Sequence, residues 1–114
     1  MSRMADSDLS RRSCVACQGG VPALSAEVQN DLLKQLNAWG VVDGHHLSRD
    51  FRFSNFQEAL AFVNQAGEVA EVEGHHPEMT VGWGHVLVEI WTHKIDGLTE
   101  SDFILAAKLD QLEE

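Results

Sequence analysis

The 114-residue chain predicts an α+β fold, a four-stranded antiparallel sheet with three helices packed on one face in the order α-β-β-α-β-β-α. Three observations carry that expectation. Apolar residues recur at helical spacing in three stretches, each opened by a capping residue. Between those stretches lie two hairpin patterns with turn residues at their centres. The length suits one compact domain and is too short for two. Two hairpins and three amphipathic helices bury their apolar faces best as a sheet with its helices on one side. Residues 1–22, rich in Ser, Arg, Asp and Gly without either period, are expected to form a flexible N-terminal tail, leaving 23–114 as the domain.

The first helix is expected from Ser25, a suitable N-cap with Glu27 in the first turn. Its apolar residues Val28, Leu32, Leu33, Leu36 and Trp39 recur at helical spacing, to an end near Asn37. Residues 39–42 and 46–53 flank Asp43-Gly44, a dipeptide suited to the positive-φ positions of a tight turn. Ser54 and Gln57 make a capping box for a second helix, with Phe56, Leu60, Phe62, Val63, Val69 and Val72 as its apolar face to about Glu73. Gly67 inside that helix costs about 1 kcal/mol relative to alanine, which suggests close packing of another backbone. Gly74 suits the C-cap, and Pro77 drives His76 out of helical conformation.

Residues 79–83 and 85–93 read as the second hairpin, turning at Gly84. In its later strand Val86, Val88, Ile90 and Thr92 share the face expected to meet the helices, and His85, Leu87, Glu89, Trp91 and His93 share the other. Thr99 and Asp102 form the cap pattern of a third helix carrying Phe103, Ile104, Ala107, Leu109 and Leu112.

Charge narrows the function classes. Eighteen acidic against eight basic residues give a formal charge of -10, and no Lys or Arg occurs between Ser54 and Trp91. A nucleic-acid backbone needs a basic stripe to displace its counterions, and an anionic membrane surface needs the same, so direct binding to either is disfavoured. No apolar run reaches the roughly 18 residues of a membrane span. The start lacks the charged-then-apolar order of a signal peptide, so a cytoplasmic location is expected. Cys14 and Cys17, the only cysteines, read as reduced thiols of the tail, because zinc would need two further ligands and a redox role a different context.

His75 and His76 stand between Gly74 and Pro77, so a dipeptide that would point to opposite faces of a strand can converge on one site from a loop. The helix C-terminus before them favours a cation, and Glu71, Glu73 and Glu78 add negative charge. At least one of the pair is therefore expected to serve as a general acid near neutral pH. His93, at the end of the second hairpin, is a third imidazole for the same site. No His-x-x-x-His spacing supports a zinc ion held by the three. A second pair, His45-His46, and the single His85 are expected on the strand surface.

The pattern Glu71-x-x-x-His75-His76-Pro77, then Trp83, then Thr92-His93-x-x-x-Gly97-Leu98-Thr99-x-x-Asp102, resembles the pterin-4a-carbinolamine dehydratase family. So does Phe51-x-Phe53-x-x-Phe56-x-x-Ala59-x-x-Phe62, and the likeness spans residues 24–112. It implies a hydro-lyase that dehydrates 4a-hydroxytetrahydrobiopterin to quinonoid dihydropterin, recycling the pterin of aromatic amino-acid hydroxylation. It implies His75, His76 and His93 as catalytic and pterin-binding residues, with Glu71, Pro77, Trp83, Thr92 and Asp102 around the substrate. Among the histidines, His75 and His93 read as the acid-base pair and His76 as the positioning residue. The pterin is the substrate, so neither cofactor nor metal is expected. The resemblance further implies a homodimer or homotetramer and a functional link to a phenylalanine hydroxylase. Leu87, Trp91 and Trp83 on the outer sheet face also suggest self-association.

Many animal members carry Tyr-Asn where this chain has Trp83-Gly84, and Cys14-x-x-Cys17 resembles a pair in some bacterial members, which points to a bacterial source. Animal members also act as a dimerisation cofactor of a homeodomain transcription factor. A non-catalytic binding or assembly role on the same fold is thus the alternative. Retention of Glu71, His75, His76, His93 and Asp102 together favours catalysis.

Overall fold

The computed structural model describes residues 9–14 and 22–113, and among the described residues from 22 on, three helices and four strands follow the expected order. They are α1 (Ala26–Leu33), β1 (Gly40–Val42), β2 (His46–Arg52), α2 (Phe56–Glu73), β3 (Glu78–Gly82), β4 (His85–Ile90) and α3 (Glu100–Leu112). All pairings are antiparallel in the order β1-β2-β4-β3, so β2 and β4 form the centre of the sheet. Asp43 and Gly44 both take positive φ, 54° and 65°, as a tight hairpin turn demands. The register pairs Leu47 with Ile90 and Phe51 with Val86. With Val88, these side chains form one fully buried face, as the period of two predicts. No helix among the described residues is long and apolar enough to cross a membrane.

The helices depart from expectation in instructive ways. α1 ends at Leu33, before Asn37, because its continuation is captured by the body of the protein. The Asn37 N–H donates to Asp110 Oδ2 at 3.0 Å and Trp39 Nε1 donates to Asp110 Oδ1 at 2.8 Å, which draws the chain off the helix axis. Val28 is exposed, and buried Gln29 bonds instead to the carbonyls of Leu24 and Gly44. The cap of α2 lies one residue later than expected. Asn55 accepts from the Glu58 N–H at 2.8 Å, and the Glu58 carboxylate accepts from the Ser54 N–H at 3.0 Å.

The buried stripe of α2 is Ala59, Phe62, Ala66 and Ala70, while Phe56, Leu60 and Val72 are exposed. Alanine lets a helix axis approach its neighbours closely, so the small side chains face inward and the larger ones flank them. No backbone packs on Gly67: a Cβ added there would meet nothing within 4 Å.

α3 is buried on nearly every side, including Ser101 to Ala107 without a break. It lies against α2 and β2 and is also covered by the N-terminal segment. Leu9 is fully buried in the core, Lys108 Nζ donates to the Ser10 carbonyl at 2.8 Å, and Cys14 Sγ approaches the Ser101 carbonyl at 3.5 Å. Residues 9–14 thus pack onto the domain; residues 1–8 and 15–21 of the expected tail lie outside the described residues.

Candidate active site

The end of α2 sets the first half of the site. Gly74 takes the left-handed conformation, φ 66°, and the N–H groups of Gly74 and His75 both turn back to the Ala70 carbonyl. That turn sends His75 inward and His76 outward, and Pro77 then leads the chain into β3. The second half is the turn after β4. Thr92 and Gly97 pair as an isolated bridge, Thr92 N–H donating to the Gly97 carbonyl at 2.8 Å, and the turn they close carries His93. A Cβ at Gly97 would meet the Ala23 side chain at 3.1 Å, so a small residue lets the 22–25 segment pack behind the turn.

Asp102 joins the halves from the first turn of α3. Its carboxylate is fully buried, and each oxygen is occupied. Oδ1 lies 2.6 Å from His75 Nε2. Oδ2 accepts from Thr92 Oγ1 at 2.8 Å and from the Thr99 N–H at 2.7 Å, and Thr99 Oγ1 lies 2.9 Å from Thr92 Oγ1. The helix N-terminus favours the negative charge placed there. Against a carboxylate oxygen, His75 Nε2 must carry the hydrogen, so the neutral ring keeps its lone pair on Nδ1. That nitrogen has no partner among the described residues.

His76 is arranged differently. Its Nε2 lies 2.6 Å from Glu71 Oε2, with both side chains largely exposed. His93 is exposed and lies flat on Trp91, ring centroids 4.3 Å apart and planes 12° from parallel. A cleft of 310 Å³ opens between the two loops, lined by His75, His76, Pro77, Trp91, Thr92 and His93. Its volume is at the lower end of that of small-molecule sites.

The structure therefore brings together His75, His76, His93, Pro77, Thr92 and, through His75, Asp102. Glu71 borders a second, shallower groove on the far side of His76 and Pro77. Trp83 is not brought to the cleft. It stands exposed in the β3–β4 turn, at the opposite end of β4 from His93, roughly 25 Å away at about 3.4 Å per strand residue. Trp91, read from sequence on the same outer face as His93, is the platform under that ring; their shared parity on the strand was the available signal. The pair His45-His46 also packs its rings against Trp91. Among the described residues no group of three or more His, Cys, Asp or Glu is arranged to hold a metal ion.

The chain is similar to known proteins in sequence and in fold. The family described as Pterin 4 alpha carbinolamine dehydratase matches residues 22–112. A protein of Rubrobacter xylanophilus that bears the name pterin-4-alpha-carbinolamine dehydratase is 57% identical over 106 residues, covering 93% of this chain and 99% of its own length. One of the same name from Rickettsia bellii is 50% identical over 106 residues, covering 92% of this chain and 94% of that protein. The crystal structure of a transcriptional coactivator/pterin dehydratase from Brucella melitensis superposes with a TM-score of 0.77 at 34% identity, over 82% of this chain and all of that one.

Proposed function

The chain belongs to the pterin 4 alpha carbinolamine dehydratase family, and from that premise we propose that it dehydrates a 4a-hydroxytetrahydropterin to the quinonoid dihydropterin in the 310 Å³ cleft. The observation that carries this reading is the His75–Asp102 pair, a buried imidazole whose one carboxylate-bound nitrogen leaves the other as a base at the cleft. Loss of the 4a-hydroxyl requires a proton delivered to the leaving oxygen and one removed from the neighbouring ring nitrogen. His75 Nδ1 takes the ring N–H proton, and the imidazolium formed is stabilised by Asp102. As the C4a–O bond breaks, His93 gives its proton to the oxygen, which leaves as water. Transfer of the proton on His75 to solvent, and uptake of one by His93, restores both rings.

The flat stack of His93 on Trp91 suits a planar bicyclic substrate lying along the same wall. His76, at the mouth and paired with Glu71 behind it, positions the pterin. Pro77 and Thr92 shape the cleft wall, and no metal or cofactor enters the proposal. Self-association belongs to it as well: Trp83 and Val72 are 70% and 83% exposed, and β1 and β3 leave open sheet edges.

The test is to add the purified protein to a tetrahydropterin-dependent hydroxylase reaction and follow the decay of the 4a-hydroxy intermediate. Acceleration that saturates with intermediate and disappears in His75→Ala is expected. Decay no faster than without the protein overturns the reading.

A further inference from the structure

His45 and His46 fall outside the family pattern, yet they reach the loop that carries His93. The register Leu47 to Ile90 sets the start of β2 beside the end of β4, so the β1–β2 turn and the 92–97 turn are neighbours. We propose that His45, together with Asp96, is a positioning residue for His93: it ties the 92–97 turn to the sheet and holds Trp91 in place beneath the His93 ring. The inference rests on the catalytic role given to His93 above and adds what keeps that exposed ring in place.

The contacts form a continuous set. His93 makes no side-chain hydrogen bond among the described residues, so its ring orientation depends on the stack with Trp91, centroids 4.3 Å apart. Trp91 stands beyond the last residue of β4 and is itself touched by His45 and His46, centroids 5.4 and 5.7 Å away. His45 Nε2 lies 2.7 Å from Asp96 Oδ1, on the turn that carries His93. His45 Nδ1 lies 3.0 Å from His46 Nδ1, and His46 Nε2 lies 3.5 Å from Glu89 Oε2 on β4. One N–H must sit between the two Nδ1 atoms, so each ring fixes the orientation of the other. The chain Asp96–His45–His46 therefore spans from the His93 turn to the start of β2, with Trp91 packed against both rings.

The conformation of the turn adds to this. Asp96 takes φ 52°, a conformation that Asn, Asp and Gly tolerate best. Backbone bonds also close the turn, Ile95 N–H to the Thr92 carbonyl and Asp96 N–H to the His93 carbonyl, both at 3.2 Å, and Thr92 Oγ1 anchors its start on Asp102 Oδ2. Asp96 is 84% exposed on its side chain, so the pair with His45 adds little to folding stability. Its consequence is local. Displacing a reacting group by even about 1 Å can cost a large factor in rate.

The experiment compares full-length His45→Ala and Asp96→Gly with the conservative His45→Gln and Asp96→Asn. Glycine accepts the positive φ without strain, glutamine keeps an N–H for Asp96, and asparagine keeps an acceptor for His45. The first readout is the NMR shift of the His93 ring protons, displaced by the indole beneath them; the second is turnover set against pterin affinity. His85→Ala, at the other end of β4 with its own partner Asp50, is the control. In His45→Ala and Asp96→Gly the His93 displacement is expected to fall by about half or more, turnover to drop about fivefold with affinity unchanged, and the double variant to be no worse than either single one. The conservative variants and the control should keep both values. An undisturbed His93 displacement, or multiplying losses in the double variant, overturns the proposal, and so does a collapsed displacement with full turnover. Wild-type protein without dehydratase activity would refute the functional reading instead, while the His93 shift would still decide whether His45 and Asp96 hold the ring.

Discussion

His75 and His76 are neighbours in the chain, and each places Nε2 2.6 Å from a carboxylate oxygen, yet the two pairs are different physical objects. The His75 and Asp102 side chains are 9% and 0% exposed; those of His76 and Glu71 are 58% and 78% exposed. In the interior a charge lacks water to stabilise it, so each bond to Asp102 replaces solvation that folding removed. At the surface, water and salt already solvate Glu71 and His76, and their contact changes little. Length alone does not rank these bonds. The αL residue Gly74 makes the division, because it turns the chain so that one ring goes inward and the next outward.

The strongest way to break the comparison is at Asp102. Asp102→Ala leaves the Thr99 N–H, the Thr92 hydroxyl and the His75 ring without their shared acceptor, and a loss of about 3 to 5 kcal/mol is expected. Urea unfolding would check it, with the midpoint falling at an unchanged slope. Asp102→Asn separates chemistry from folding. It keeps shape, but an amide cannot stabilise an imidazolium as a carboxylate does, so turnover should fall about 100-fold or more in protein that still unfolds cooperatively. Next in size is His75→Ala, expected to cost about 1 to 3 kcal/mol because one oxygen of a buried carboxylate loses its donor. A melting temperature equal to that of wild type would show that the buried pair contributes no stability.

How much of this was legible in the sequence differs by element. The loop from Gly74 to Pro77 was readable because a C-cap glycine and a proline each impose a backbone state on their own. The β4 face was readable because a period of two leaves Val86, Val88 and Ile90 no choice of side. The Thr99–Asp102 cap was readable too, but its second task, holding His75, was not: the family pattern implied only a place for Asp102 around the substrate. Elsewhere the information was not local. The inward stripe of α2 is mostly alanine, which hydrophobic patterning undercounts. α1 stops early because of Asp110, more than seventy residues away in the chain. Trp83 stood inside the motif, but spacing along a strand is also distance, and it stands at the opposite end of β4 from His93.

A third carboxylate, Glu73 on the helix that also carries Glu71, extends the contrast to pH. Its side chain is only 12% exposed, accepting from the Cys14 N–H at 2.9 Å with Lys108 Nζ 3.6 Å away. Burial, and then the Glu73 charge, pushes the Cys14 thiol from its ordinary 9.0 up to about 12. Between those values the unfolded chain gives up a proton that the folded chain keeps. Stability linked to this group is therefore fully present below pH 9.0 and is lost as pH rises from there toward about 12. Unfolding measured from pH 8 to 10 should fall more steeply for the wild type than for Cys14→Ala. Equal slopes would place the thiol in water. Alkylation near pH 8.5 should likewise spare Cys14 in the native protein and label it after denaturation.

The smallest effect is expected at the exposed pair, where the comparison becomes most discriminating. Glu71→Gln and His76→Ala should each change stability by less than about 0.5 kcal/mol, because water replaces what either side chain loses. A larger loss in either would mean that the surface pair is structural after all and that burial does not divide the two histidines. If the pair instead holds the pterin at the cleft mouth, both variants should weaken pterin affinity severalfold while leaving melting and single-turnover dehydration near wild type. Added salt should narrow the affinity gap between Glu71→Gln and wild type, since screening acts on exposed charges and hardly reaches Asp102. Salt that instead narrowed the gap between Asp102→Asn and wild type would reverse the assignment, making the exposed pair the fixed element and the buried one the accessible one.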